Sequence, residues 1–573
     1  MQRADALTCA RSPVLILFAS NSHPSLRMPP PPARRVRGRL ALLIIAAACL
    51  LLAARAQTPA QPAAAAHSRS LSGLPVATIA DNSPFPASSS SAIVVGAGIS
   101  GLSAADALCA KGFPVTVLEG RARTGGRTFT AKLPLTGATI DVGAGWIHDA
   151  VPTRNSVAKF VSDNGIATQT DDEEGLAWLV GGAPPTAAQI ATGAQQAAWE
   201  ATQEDFQDLI GNAEDNWQAN LPLQKYYSDW VSSKGLQGDA KQASRTLLQS
   251  ESADLEYGAT AAKISAKFCD EGEQGEGPEK IITEGYSAVI EALLSRIRSR
   301  ASCRNAIVLD AQVAEIITVA SPAASRGVRV VLKNGTTLSA NFAITTLPLG
   351  VLKQPGLVKF TPGLTAAKTD AISKLGVGLL NKIALVYDRP FFTAPGAGGA
   401  ARPAAASWML PVQSASNPTP PVEGDAYEWW NHARFWPGSN AVVMLLGADT
   451  AANWEVLDPT LSAADRDRAL ATRADALFRQ LFPNAGTPPV LREYLVTRWN
   501  SDPFAYGSYS YMAVGATPGM RTELCATQSD LLWWAGEHCS TVYPSTVQGA
   551  LDTGVAAAEA AMAKFPAPAT GRR

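Results

Sequence analysis

Residues Ala92 to Glu119 read AIVVGAGISGLSAADALCAKGFPVTVLE, and their order decides the fold. Ile93 to Val95 is a short apolar run suited to a buried strand, and Leu102 to Ala110 spaces its apolar residues as a helix does. Between them Gly96, Gly98 and Gly101 set a G-x-G-x-x-G spacing. Pro114 to Leu118 is a second strand and ends in Glu119, 18 residues after the third glycine. In such a βαβ unit Gly96 permits the tight turn, Gly98 lets backbone approach a pyrophosphate, and Gly101 lets helix pack closely on strand. The helix start offers free N–H groups and the positive end of its dipole to the phosphates. Glu119 can accept hydrogen bonds from an adenosine ribose, and its charge would repel a 2′-phosphate. The unit predicts a dinucleotide site on a Rossmann-like α/β domain.

Three further stretches converge on the same site. Arg121-Ala122-Arg123-Thr124-Gly125-Gly126-Arg127 follows at once, its glycines allowing close approach and its arginines able to make charge-assisted bonds to phosphate. Asp141-Val142-Gly143-Ala144-Gly145-Trp146-Ile147-His148 is a second glycine-rich turn, with small residues suited to backbone lying against a planar ring and His148 at the edge of the pocket so formed. Near the C-terminus, Leu531 to Ala535 is an apolar strand, Gly536-Glu537 a turn, and Thr546-Val547-Gln548-Gly549-Ala550 the start of a helix running to Lys564. That arrangement places backbone donors and one carboxylate where a ribityl chain and a pyrimidine-like ring need them.

The 573 residues leave room for two or three domains, and 46% hydrophobic content with a net charge of -1 is an ordinary globular balance. No basic patch points to nucleic acid. Arg34, Arg35, Arg37 and Arg39 instead precede the apolar run Leu40 to Ala54, which ends at Ala54-Arg55-Ala56. That is the pattern of a secretory signal peptide over residues 1–56, with Gln57 as the mature start and Met28 as the true initiator; a signal anchor is the alternative. No second segment of membrane-spanning length follows, so no integral membrane domain is expected. Residues 57–91, rich in Ala, Pro and Ser, read as a disordered linker. Beyond the leader, Cys109, Cys269, Cys303, Cys525 and Cys539 match no zinc spacing, and the remaining histidines do not pair at ligand spacing, so no metal is expected. An exported chain can form one or two disulfides, whose pairing the sequence does not reveal.

Asn155 to Glu279 reads as mostly helical, with the acidic run Asp171-Asp172-Glu173-Glu174 as a solvated face or an attractor of cations. A helix opens at Glu284-Gly285-Tyr286, Ile307 to Ile317 alternates like one strand, and Gly327 to Ala343 reads as a hairpin around Asn334-Gly335. Phe342 to Leu347 returns to the sheet, so the dinucleotide domain is discontinuous. Lys382, alone inside LLNKIALVY, is either snorkelling at a sheet edge or buried for a purpose. Ser462 to Asp465 forms a capping box for a helix ending before Pro483.

The motifs GAGISG, E-x-R-x-R-x-GGR, DVGAGWIH, LPLGVLK, GLLNK, RWNSDPFAYGSYSY and WWAGEHCS with VQGALDTG together resemble the flavin-dependent amine oxidases, closest to the polyamine oxidases, over Ala92 to Ala563. The resemblance implies an FAD-binding domain over residues 92–155, 281–346 and 496–563. An interleaved α+β substrate-binding domain would then fill residues 156–280 and 347–495. It implies that Lys382 binds a water beside flavin N5, that Tyr509 and Tyr543 flank the reacting amine, and that His148 lies near the substrate. It further implies that Trp499 packs on the flavin region, Glu537 on the ribityl or phosphate side, and Val313 against adenine by its backbone. Ser508 stands where monoamine oxidases carry the cysteine joined to the flavin, so the FAD is expected to be non-covalent. An acidic residue credited with polyamine binding in plant extracellular enzymes falls at Ala259, and no coiled-coil arm like that of the histone demethylases is visible.

The implied reaction moves a hydride equivalent from the α C–H of a neutral amine to flavin N5. Water then hydrolyses the imine to an aldehyde, and O2 is reduced to hydrogen peroxide. Spermine or spermidine is the expected amine. Monoamine or L-amino-acid oxidases of the same fold, and an FAD-binding demethylase or scaffold, are the alternatives. Protoporphyrinogen oxidase-like and desaturase proteins share the N-terminal half but are set apart by Lys382, Tyr509 and Tyr543.

Overall fold

A computed structural model describes residues 90–171, 177–181, 219–269, 277–321, 326–389, 408–413, 426–436, 439–456, 459–480 and 489–565. The leader, nearly all of the Ala/Pro/Ser linker, and Asp172 to Glu174 of the acidic run lie outside the described residues. Among the described residues no helix is long and apolar enough to cross a membrane.

Five short strands form a parallel sheet: β1 (Ala92–Val95), β2 (Val115–Leu118), β3 (Ile307–Val308), β4 (Phe342–Thr345) and β5 (Leu532–Trp534), in the spatial order β5-β4-β1-β2-β3. β1 is buried along its whole length because it pairs on both sides, Val94 lying level with Ile344 and Val117. Each such Val or Ile contributes roughly 1.5–3 kcal/mol by leaving water. Helix α1 (Ile99–Ala110) lies against the C-terminal helix α2 (Val547–Lys564). The two approach so closely that a Cβ on Gly554 would come within 2.1 Å of the Ser100 carbonyl oxygen, and Ser103 Oγ donates to the Leu551 carbonyl at 3.0 Å. Small residues along GISGLSAADA therefore serve helix-on-helix contact as much as the cofactor turn. The carboxyl ends of β1, β2, β4 and β5 open on one edge, where a doubly wound sheet binds its ligands.

A second, six-stranded sheet runs in the order Leu491–Val496, Leu380–Tyr387, Ala441–Gly447, Tyr427–Trp430, Trp408–Gln413, Ala177–Gly181. Its core includes Tyr387, Trp429 and Phe478, the last from the helix Ala463–Gln480. That helix starts at the expected cap, Asp465 N donating to Ser462 Oγ at 3.1 Å. The hairpin around Asn334-Gly335 joins Gly327–Leu332 to Thr337–Ala340, with Gly335 at φ +86°.

Two expectations need correction. Ile307 to Ile317 is not one strand: β3 ends at Val308, Asp310 takes a left-handed φ of +54°, and a new strand, Val313–Val319, enters a separate four-stranded sheet. The break is enforced by backbone bonds from Asp310 N to Arg121 O and from Ala311 N to Glu119 O, which hold the chain against the end of β2. Among the described residues after Asn155, helices predominate as expected, but the strands Thr168–Asp171 and Ala177–Gly181 stand among them, which that reading did not include. Asp171, taken as part of a solvated or cation-attracting face, is buried and accepts the indole N–H of Trp146 at 3.0 Å.

Candidate active site

At the carboxyl edge of the parallel sheet the glycine turn has the shape its spacing predicts. Gly96 lies at φ +104°, and a Cβ on Gly101 would stand 1.9 Å from the Gly96 carbonyl oxygen, so only glycine lets α1 begin there. A Cβ on Gly98, by contrast, would meet no protein atom within 4 Å. Gly98 is also the N-cap of α1, which has no side-chain cap, so the first-turn N–H groups face open space. Open backbone, uncapped donors and a positive helix end together fit a diphosphate. Beside them Glu119 accepts from Ala97 N and Arg121 N, both at 2.9 Å, which fixes its carboxylate at the end of β2. Val313 begins its strand two residues beyond Ala311, whose N–H bonds Glu119 O.

The arginines have partners within the protein. Arg121 makes a bidentate pair with Asp502 at 2.7 and 2.8 Å, so its charge is committed to tying the first motif to the 499–507 loop. Arg127 donates to Glu537 at 3.0 Å and to the Ser508 carbonyl at 2.8 Å. The other Glu537 oxygen accepts from Ser510 Oγ at 2.6 Å, and the fully buried Arg521 donates to Ser510 Oγ at 2.8 Å. Burial alone would raise the Glu537 pKa, but these positive neighbours hold it at about 2. His538 beside it is pushed down to about 4 by burial and is neutral at pH 7, so the carboxylate rests on the two arginines.

Lys382 lies on the second strand of the six-stranded sheet and is buried, which decides between the two readings of that lysine. Its Nζ donates to the carbonyls of Asp141 at 3.0 Å and Gly143 at 2.6 Å and sits 5.3 Å from the Trp146 ring. Burial lowers its pKa to about 8, with Asp141 pulling the other way. Burial also pushes Asp141 up to about 6, against the bonds it receives from Thr130 Oγ1 and Tyr286 N. Gly143 is required at the turn, because a Cβ there would lie 1.9 Å from Arg127 O; Ala144 N donates to that same oxygen. Trp499 is set by Asn381, whose Oδ1 accepts its backbone N–H at 3.0 Å, while its indole donates to Val142 O at 3.2 Å.

Tyr509 pairs with Gly378 across a two-stranded ribbon, and its hydroxyl donates to the carbonyls of Glu256 at 2.9 Å and Leu255 at 3.2 Å. Tyr543 is held by its backbone, its N–H on Ser540 Oγ and its carbonyl on Thr546 Oγ1, both at 2.9 Å. Ser545 Oγ donates to Ser510 O, which ties the Tyr543 loop to the strand of Tyr509. Thr546 caps α2 through Gly549 N, so Val547 opens the helix on the same edge as Gly536, whose φ is +132°. His148 lies further out, its side chain 62% exposed and its Nδ1 2.7 Å from Glu279.

Several of these partners were not singled out from the sequence. Asn381, next to Lys382 in an apolar strand, carried a signal: its amide bonds the buried Glu455, which in turn accepts the N–H groups of Asn500 and Ser501. Arg521 and Asp502 carried none. Among the described residues, disulfides join Cys109 to Cys303 and Cys525 to Cys539. Cys525, His538 and Cys539 bring possible ligand atoms within 4.8 Å of one another, and the two sulfurs of that group are joined in the Cys525–Cys539 disulfide.

With this geometry in view, residues 99–562 match the family described as flavin containing amine oxidoreductase. The chain belongs to that family. It is 30% identical over 492 residues to polyamine oxidase 4 of Oryza sativa subsp. japonica, spanning 82% of this chain and 88% of that one. It is 28% identical over 479 residues to lysine-specific histone demethylase 1 homolog 1 of Arabidopsis thaliana, spanning 81% of this chain and 51% of the relative. The cyclohexylamine oxidase of Brevibacterium oxydans IH-35A superposes with a TM-score of 0.61 at 17% identity, over 83% of this chain and 99% of that chain, which shows a shared fold. This amine oxidoreductase uses FAD bound without a covalent link. Ser508 fits this: its hydroxyl is engaged with the backbone of Leu380, donating at 3.0 Å and accepting at 2.8 Å, and no thiol stands there.

Proposed function

We propose that the protein is an exported oxidase of polyamines, spermine or spermidine among them, converting a C–N bond to an imine that water hydrolyses to aldehyde and amine, with O2 reduced to hydrogen peroxide. The observation that carries the oxidase half is the buried Lys382 ammonium, anchored to the glycine turn of Asp141 and Gly143. The relationship to a polyamine oxidase supports the substrate class, and the leader Arg34 to Ala56 supports export.

When bound, FAD supplies a two-electron acceptor; everything else falls to side chains and backbone of this chain. The open N–H groups at Gly98, with Glu119, hold the dinucleotide half. Glu537, Arg127 and Arg521 fix the GEH turn against the strand of Tyr509. Tyr509 and Tyr543 orient the amine and exclude water from its α carbon. Lys382 spends two of its three donors on carbonyls and keeps the third for a water or oxygen species, where its positive charge stabilises negative charge developing as O2 is reduced.

A panel of diamines, polyamines, monoamines, L-amino acids and a methyl-lysine peptide, with peroxide detection, tests this reading. Turnover of spermine or spermidine with the highest kcat/KM supports it. Turnover confined to the methyl-lysine peptide would favour the activity named for the demethylase relative, and peroxide from none of them would remove the oxidase assignment.

A further inference from the structure

Beside Lys382, from Trp146 onward, stands a run of aromatic rings that amine oxidation does not use. Trp146 meets Trp430 edge to face with ring centroids 5.0 Å apart, and Trp430 meets Trp436 in the same way at 5.6 Å. Trp430 is buried, Trp436 is partly exposed, and Trp436 stacks on His432 at 4.0 Å. At such separations the ring edges touch. Tryptophan is among the side chains most easily oxidised, so the run is a continuous path for single electrons.

We propose that Trp146, Trp430 and Trp436 form an electron relay that carries oxidising equivalents from the flavin site to the protein surface. The relay rests on the assignment of the flavin beside Lys382. A one-electron oxidant at that site, an oxygen-centred radical formed from O2 or, under blue light, the excited flavin, takes an electron from Trp146 and is itself reduced. The indole N–H proton of Trp146 moves along its 3.0 Å bond to the buried carboxylate of Asp171. Trp430 then returns an electron to Trp146, the proton comes back from Asp171, and Trp436 refills Trp430. Trp436, partly exposed and with its indole N–H held on the Thr283 carbonyl at 2.7 Å, keeps its proton and is restored by an electron from a soluble one-electron donor such as a thiolate or a phenol.

Two charges act on Trp146 in opposite senses: the Lys382 ammonium, 5.3 Å from the ring, disfavours a positive hole there, and the Asp171 carboxylate on its indole N–H favours one, so the outward step is drawn by the donor that refills Trp436. His432 opposes nothing: burial holds its pKa down to about 3, its Nε2 donates to Thr139 O, and a neutral ring faces Trp436. The physical use is protection, since an oxidase that reduces O2 beside Trp146 otherwise exposes that ring, and the flavin, to one-electron oxidants.

The test is a blue-light flash on the FAD-loaded protein without amine or oxygen, following flavin recovery and tryptophan radical absorption. In the parent protein the hole reaches Trp436 and recovery is slow. In Trp430→Phe and in Trp436→Phe the path is cut, and recovery quickens by about tenfold or more while flavin content and amine turnover stay unchanged. Flavin binding with recovery unchanged in both variants would overturn the relay alone and place the hole on Trp499 or Tyr509. A parent protein that takes up no flavin would overturn the cofactor assignment, and the relay with it.

Discussion

The ammonium of Lys382 is bound by the backbone carbonyl of Gly143 at 2.6 Å, linking the second strand of the six-stranded sheet to the glycine turn at the edge of the parallel sheet. One side chain thus joins the two sheets at the edge where we propose the flavin lies. Removing it should damage chemistry more than folding. In Lys382→Met, colour lost on anaerobic addition of amine should disappear at nearly the parent rate, and its return on admitting air should slow by roughly a hundredfold. Equal rates of return would remove Lys382 from the oxygen step.

The same lysine sets a pH dependence. Burial brings its pKa down to about 8, so the group is charged below that value and neutral above it. The rate of colour return in air should be highest below about pH 8 and fall as pH rises through that value. Stopped-flow profiles of the parent and of Lys382→Met check this, since the fall should be missing from the variant.

Gly98 and Gly101 separate cofactor binding from folding. Ala at position 98 meets no protein atom within 4 Å at an ordinary backbone angle of -74°, so Gly98→Ala should melt close to the parent apoprotein yet bind FAD more weakly by roughly tenfold or more. Ala at position 101 strikes the Gly96 carbonyl, and overpacking of that kind costs about 1–3 kcal/mol or more. Flavin titration and thermal melts of the two variants check the contrast.

Glu537 should be structural as well as positional. Its carboxylate is held at about 2, below the ordinary value, so the stability it contributes is present above the ordinary carboxylate pKa and lost as pH falls toward 2. Glu537→Gln leaves the fully buried Arg521 and the half-buried Arg127 without their anion, a loss of about 3–5 kcal/mol for a broken buried pair. Urea unfolding at pH 7 measures it.

Much of the cofactor half was legible because its signals are local. Three glycines, the strand before them and the acid after them specify β1, α1 and β2 within 28 residues, and Thr546 announces α2 as plainly as a cap can. What was not legible depends on residues distant in the chain. The burial of Lys382 follows from its strand having neighbours on both sides, which no local pattern states. The pairing of Arg121 with Asp502 could not be read locally, because the two stand 381 positions apart. The split of Ile307 to Ile317 turned on Asp310 being drawn left-handed by carbonyl partners at the end of β2.

The most direct measurement is the visible spectrum of the purified protein mixed with spermine or spermidine in the absence of oxygen. A yellow protein whose flavin bands bleach on adding the amine, recover in air and leave peroxide behind is the expected result. A protein that stays colourless after incubation with FAD, or one that is yellow and never bleaches with any amine, would contradict the assignment.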